Sequence, residues 1–120
     1  EVFMADDAEI LITAFGTVGR VAKSVVLKAR AMGIRAGLFR PVTVWPFPSE
    51  QLKKAAQGKK AILDIELNEG QMLLDVKAAI EGACPVELLS KLGGEIVKEG
   101  EILEKLNELA GRAELLKGGV

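Results

Sequence analysis

The order of hydrophobic and polar residues changes at position 16. Residues 10–15 form a mostly apolar run that is too short for a helix, and Gly16-Thr17 follows it. Beyond this point, apolar residues recur every three or four positions up to Met32, which is the spacing of one helix face. The pattern predicts a buried strand that turns directly into a helix, with Gly16 at the turn and Thr17 capping the first helical amides.

The same alternation of strand and helix continues along the chain. Further strands are predicted at about 2–4, 34–40, 60–67 and 85–90, the first of them a short edge strand. Further helices are predicted at about 50–56, at about 70–81 and after Gly94. Because residues 10–15 show no in/out alternation, both faces of that strand should be covered by crossover helices. The expected fold class is α/β, a three-layer α/β/α open sheet, mostly parallel, of about five strands.

Three local features are predicted at element ends. Ser49 should cap the helix that follows it, Gly82 should end the helix at 70–81, and Gly111 should interrupt the last helix. Alternation in the strand at 60–67 separates its side chains into two faces, with Leu63, Ile65 and Leu67 on one and Ile62, Asp64 and Glu66 on the other.

Composition favours a single domain over residues 1–120, since 49% of the residues are hydrophobic and can form a substantial core. Sixteen basic and seventeen acidic residues give a net charge of -1, which favours neither a nucleic acid nor a membrane as partner. Because the chain has a single cysteine, we expect a reducing, cytoplasmic location, and residues 1–9 lack the pattern of a signal peptide. Because Glu1 rather than Met opens the chain, we expect a fragment of a longer subunit, with residues 95–120 forming a C-terminal helix and tail.

Reactive side chains are scarce. Cys84 is the only cysteine, which excludes an internal disulfide and leaves too few thiolates for a zinc or iron–sulfur site. The absence of histidine excludes hydrolase triads and histidine-bound metals. We therefore expect no catalytic residue and no metal ligand in this chain.

Polar residues concentrate where the predicted parallel strands end, which is the functional edge of such sheets. The candidate contacts for an anion or a polar ligand at this edge are Gly16, Thr17, Arg20, Arg40, Glu66, Asn68 and Gln71. The turn at Gly16 lacks the glycine pattern of a dinucleotide loop, and a plain capped turn is favoured over an anion site. For Glu66, a structural ion pair with Arg40 or Arg20 is favoured over an acid–base role.

Two aromatic residues lie among prolines in the segment 41–48, which therefore cannot be a central strand. Trp45 and Phe47 suit either of two roles. They would seal the core, or they would anchor another protein surface, since rigid prolines limit the entropy lost on docking. The sequence leaves both open, and we treat the two residues as a candidate interface.

Three strings carry a family resemblance: residues 14–20 with the Ala-Lys-Ser helix after them, residues 39–48 (Phe-Arg-Pro-Val-Thr-Val-Trp-Pro-Phe-Pro), and residues 66–76, which begin Glu-Leu-Asn-Glu-Gly-Gln-Met. In order and spacing they resemble the C-terminal domain of the alpha subunit of 2-oxoacid:ferredoxin oxidoreductases, of the 2-oxoglutarate and 2-oxoisovalerate type. That domain is similar to the transketolase C-terminal domain. The resemblance covers about residues 7–94.

The resemblance implies a parent complex that depends on thiamine diphosphate, oxidatively decarboxylates a 2-oxoacid, forms acyl-coenzyme A and reduces ferredoxin. It also implies that the thiamine diphosphate, magnesium and iron–sulfur sites lie elsewhere in the complex, so that this domain binds no cofactor and serves in assembly. The implied partners are the rest of the alpha subunit, the beta subunit, ferredoxin for the whole complex, and a possible second copy. The alternative, from another class, is an independent anion- or nucleotide-binding domain that uses the Gly16-Thr17 helix start.

Overall fold

The computed structural model contains one five-stranded sheet. It describes residues 1–15, 18–41, 47–66, 72–91 and 97–118, with side chains in the last helix described as far as residue 111. The strands are β1 (Val2–Phe3), β2 (Ile10–Ala14), β3 (Ala36–Phe39), β4 (Ala61–Glu66) and β5 (Val86–Ser90). Their order is β1-β3-β2-β4-β5, and only the β1–β3 pairing is antiparallel. The predicted mostly parallel sheet with a short edge strand is confirmed.

Four helices complete the three layers. They are α1 (Val18–Ala31), α2 (Ser49–Ala56), α3 (Leu73–Ile80) and α4 (Glu99–Gly118). Helices α1 and α4 pack on one face of the sheet, and α2 and α3 pack on the other. Among the described residues, no helix is both long and apolar enough to cross a lipid bilayer.

The central strand β2 explains why both layers of helices are needed. All five of its residues are buried. Ile10 and Ile12 enter the core under α1 and α4, whereas Leu11 enters the core under α2 and α3. Strand β4 divides in the same way, with Leu63 and Ile65 on the first side and Ile62 on the second, as its alternation predicts.

The segment after β1 is drawn close to the sheet at Gly37. A Cβ atom at Gly37 would lie 2.8 Å from both the Cα of Ala5 and the carbonyl oxygen of Met4, so this approach needs a residue without a side chain. Arg30 of α1 holds the same segment by donating to the Met4 carbonyl oxygen (2.7 Å) and to the carboxylate of Asp7 (2.7 Å). The chain beside the edge of the sheet is therefore fixed in place.

Two predicted features of the helices are wrong. Ser49 is the first residue of α2, and Pro48 occupies the N-cap position without a side-chain cap bond. The predicted end of α3 is correct to within one residue, since the helix ends at Ile80, Glu81 is its left-handed C-cap, and Gly82 follows with a φ of 77°. Gly111 does not interrupt α4. One internal glycine costs only about 1 kcal/mol relative to alanine, which the packing of this helix on the sheet outweighs.

Replacing Leu106 by alanine should destabilise the chain strongly, because this side chain of α4 is fully buried against the sheet. Removing it should lower the free energy of unfolding by about 2–5 kcal/mol in urea denaturation. The matched control is Leu74→Ala, since Leu74 is also helical but 77% exposed, and its effect should stay within about 0.5 kcal/mol. Equal losses in the two variants would contradict the placement of α4.

A candidate functional site at the carboxyl edge of the sheet

The parallel strands β2, β3, β4 and β5 all end at one edge of the sheet, where the polar candidates were predicted. The structure describes four of the predicted candidates, namely Arg20, Arg40, Phe47 and Glu66. Five others lie outside the described residues, namely Gly16, Thr17, Trp45, Asn68 and Gln71. The described part of this edge therefore centres on Glu66 and on what surrounds it.

Glu66 is the last residue of β4, and its side chain is buried, with 2% of its surface exposed. One carboxylate oxygen, Oε1, accepts a hydrogen bond of 2.9 Å from the backbone N–H of Met72. Met72 immediately precedes α3, so the carboxylate occupies the positive end of that helix. Glu66 thus connects the end of β4 to the start of α3.

Asp64 lies two residues earlier on the same face of β4 and is fully buried. Its Oδ1 accepts a hydrogen bond of 2.8 Å from the hydroxyl of Thr13, its partner in the β2–β4 register. Thr13, Asp64 and Glu66 are the buried polar side chains of the described chain, and together they run from β2 across β4 to α3. This set is the candidate site, and sequence reasoning missed the part that Thr13 plays in it.

Each of the two carboxyl groups has one oxygen without a donor in the described structure. The remaining oxygens, Asp64 Oδ2 and Glu66 Oε2, are buried and receive no N–H or hydroxyl donor from the described residues. Burial first, and then a hydrogen bond to the Glu66 carboxyl group, raise the pKa of Asp64 to about 8, while the Thr13 hydroxyl lowers it. A neutral Asp64 at pH 7 supplies the donor that this pair otherwise lacks.

The predicted ion pair between Glu66 and Arg40 or Arg20 is wrong. The guanidinium group of Arg40 instead pairs with the carboxylate of Glu1 at 3.9 Å, and its side chain lies over Gly19 in the first turn of α1. Arg20 is exposed. Sequence spacing could place these residues at one edge of the sheet, but it could not show that the backbone N–H of Met72 is the donor to Glu66.

Phe47 belongs to the core under α2 and α3. Its ring contacts that of Phe15, with centroids 6.1 Å apart and planes inclined by 31°. Both residues pack against the buried cluster that contains Leu52. Of the two predicted roles, the described contacts of Phe47 correspond to sealing the core.

Cys84 is partly buried beside the same core. Burial raises the pKa of its thiol, which lowers the fraction of reactive thiolate at neutral pH. Cys84 therefore acts as a small packing residue of this core.

Comparison with known proteins shows which family this chain is similar to. The model of the family described as pyruvate:ferredoxin oxidoreductase core domain II matches residues 8–102. Ketoisovalerate oxidoreductase subunit VorB of Methanothermobacter marburgensis is 44% identical over 113 residues, which are 94% of this chain and 32% of VorB. 2-Oxoglutarate synthase subunit KorA of the same organism is 41% identical over 101 residues, covering 84% of this chain and 27% of KorA. The chain spans about a third or less of these curated relatives.

Two solved structures share the fold. A 2-oxoglutarate:ferredoxin oxidoreductase from Magnetococcus marinus superposes with a TM-score of 0.80 at 21% identity, covering 91% of this chain and 19% of that one. A split-gene transketolase, described as an inactive beta4 tetramer, superposes with a TM-score of 0.75 at 17% identity, covering 91% of this chain and 41% of that one. These similarities confirm the predicted likeness to the transketolase C-terminal fold.

Asp64→Asn should remove a pH dependence from the stability of the chain. The pKa of about 8 in the folded chain exceeds the value of about 3.9 for an unperturbed aspartic acid, so folding favours the protonated form between these limits. The free energy of unfolding should therefore fall as the pH rises from about 4 to about 8, by at most about 1.4 kcal/mol per pH unit. Urea denaturation at pH 5 to 9 measures this slope.

Asparagine cannot ionise, so the variant should show a flatter profile and should be the more stable protein at pH 9. The control is Asp75→Asn, which makes the same substitution at an exposed position in the first turn of α3. An unchanged slope in Asp64→Asn would contradict the raised pKa of Asp64.

Proposed function

Because the chain belongs to the pyruvate:ferredoxin oxidoreductase core domain II family, we propose that it is a non-catalytic assembly domain in the alpha-type subunit of a 2-oxoacid:ferredoxin oxidoreductase. Membership confirms the family resemblance carried by residues 14–20, 39–48 and 66–76. The parent complex would decarboxylate a 2-oxoacid oxidatively, form acyl-coenzyme A and reduce ferredoxin. Residues 1–120 would form one domain of a longer subunit, with residues 95–120 as its C-terminal helix and tail.

The observation that carries the proposal is the state of the buried carboxyl pair. Each carboxyl group of the described sheet edge is engaged inside the protein, Asp64 with Thr13 and Glu66 with the start of α3. A general acid or base must come within hydrogen-bond reach of its substrate. Carboxyl groups that are buried and engaged with one another support a role in holding the edge together rather than in turnover.

The donor groups also do not fit the cofactors of the proposed parent complex. An iron–sulfur cluster is commonly held by four thiolates, and the sequence contains one cysteine. In the described part of the chain, no three histidine, cysteine, aspartate or glutamate side chains cluster as a metal site would require. The buried carboxyl pair would repel a diphosphate. We therefore place thiamine diphosphate, magnesium and the cluster on other parts of the complex.

The partners that follow from this proposal are the rest of the alpha subunit and the beta subunit, with ferredoxin as a partner of the whole complex. A second copy of the chain is a further candidate. Trp45 remains a candidate contact for these partners, whereas Phe47 packs in the core under α2 and α3. The location that suits such a complex is the cytoplasm.

The alternative is an anion- or nucleotide-binding domain, and one observation favours it. The Arg40 side chain lies over Gly19 in the first turn of α1, which places a cation beside the start of that helix. A thermal-shift screen of the isolated chain with thiamine diphosphate, coenzyme A, nucleotides and 2-oxoacids separates the two functions. The assembly role predicts unchanged melting temperatures, whereas a ligand held by the folded chain raises the melting temperature.

The assembly role is tested by exchange into a relative. Replacing the matching third of VorB with this chain should give a ketoisovalerate oxidoreductase that still assembles, because the two sequences are 44% identical over that region. Deleting the same third should prevent assembly, as measured by size-exclusion chromatography with light scattering. Normal assembly of the deletion variant would overturn the proposal.

The non-catalytic role makes a separate prediction in this hybrid enzyme. Glu66→Gln and Asp64→Asn should leave kcat within about twofold, whereas removal of a general acid or base commonly lowers a rate by about 10²–10⁴-fold. A loss of that size, in a hybrid whose assembly and melting temperature are normal, would assign Glu66 or Asp64 to the chemistry.

A further inference from the structure

A groove opens between the edge strand β1 and helix α2. Its volume is about 440 Å³, and all the residues that line it belong to the part of the chain that the structure describes. Val2 and Ala5 line it from the segment that contains β1, and Ala55 lines it from α2. Val2 is 56% exposed, so the groove includes accessible apolar surface.

Among the described residues, none hydrogen-bonds the backbone of Val2 in β1. Glu1 and Arg40 exchange two hydrogen bonds, since the N–H of Arg40 donates to the carbonyl oxygen of Glu1 at 2.7 Å and the Glu1 amine donates to the carbonyl oxygen of Arg40. In an antiparallel pair the next residue points its N–H and C=O away from the partner strand. Val2 therefore directs its backbone donor and acceptor toward the open edge, where β1 is the last strand of the sheet.

The charges around the groove are not balanced. Lys54 and Lys59 line it, against the single carboxylate of Asp6. Their neighbours in sequence are engaged, with Lys53 bound to Glu81 at 3.3 Å and Lys60 bound to Glu9 at 3.5 Å. In the described structure neither Lys54 nor Lys59 has a carboxylate within ion-pair distance, so the groove presents two available ammonium groups.

We propose that this groove binds an extended acidic segment of another polypeptide, which adds as a strand beside β1. The segment would bond to the free N–H and C=O of Val2, place apolar side chains over Val2 and Ala55, and direct carboxylates toward Lys54 and Lys59. A groove between an edge strand and a helix suits this mode, in which main-chain bonds give affinity and side-chain contacts give specificity. The inference rests on the proposed assembly role, because that role requires a partner polypeptide.

The test uses a capped six-residue peptide of alternating glutamate and valine, titrated into the 120-residue chain and followed by amide NMR shifts. Shifts should concentrate at β1 and α2. A peptide with lysine in place of each glutamate should bind at least tenfold more weakly, because it would face two cations. Equal binding of the two peptides, or no shift with either, would overturn the proposal.

Variants of the chain separate the groove from general charge effects. The double variant Lys54→Glu and Lys59→Glu should bind the acidic peptide at least tenfold more weakly. The control, Lys77→Glu with Lys98→Glu, has the same net charge but alters exposed lysines that do not line the groove, and it should bind like the parent chain. Equal weakening in both would indicate long-range electrostatics alone and overturn the site.

The strand-addition geometry has its own variant. Val2→Pro removes the outward N–H without breaking a bond to β3, so the melting temperature should stay close to that of the parent chain while peptide binding falls. Unaltered binding would reject strand addition and leave a site for small anions. If the VorB hybrid still assembles with Lys54→Glu and Lys59→Glu in the groove, this inference alone would be overturned. If the hybrid without these substitutions fails to assemble, the proposed function would be overturned.

Discussion

The structure depends on burying one strand on both of its faces. Strand β2 has neighbouring strands on each side and a hydrophobic core above and below it. A strand with this environment requires helices on both faces, because either uncovered face would expose a row of apolar side chains. The two pairs of helices, the two cores and the parallel pairing of β2, β3, β4 and β5 all follow from that requirement.

The same burial controls the chemistry of the sheet edge. Strand β4 is also covered on both faces, so two carboxyl groups near its end are removed from water. Isolated buried charges are strongly unfavourable, and burial accordingly raises the pKa of Asp64, while the Thr13 hydroxyl and the start of α3 serve as donors to the two carboxyl groups. The polar edge therefore contributes a link between β2, β4 and α3 rather than a reactive surface.

The proposed assembly role depends on the surfaces of this domain. Its relatives are subunits about three times its length or longer, and two solved proteins of low sequence identity share its fold. Within that family, the features of this chain that remain available to a partner are on its periphery. The open edge of β1, the groove beside it and its two lysines differ from the buried edge in having donors, cations and apolar surface that the fold itself does not use.

The sequence by itself determined the layers, the order of elements and the division of β4 into two faces. The reason is that the local spacing of apolar residues indicates which side chains of each element are buried. It also determined the family, through strings such as residues 39–48. It did not determine every helix boundary. Pro48 rather than Ser49 is the N-cap of α2, Glu81 is the C-cap of α3, and α4 continues through Gly111, because packing outweighs these local preferences. Only the tertiary structure decided the partner of Glu66. Spacing brought Glu66 to the same edge as two arginines, but the choice of Asp64 and the Met72 amide depends on which groups lie in contact after the strands have paired.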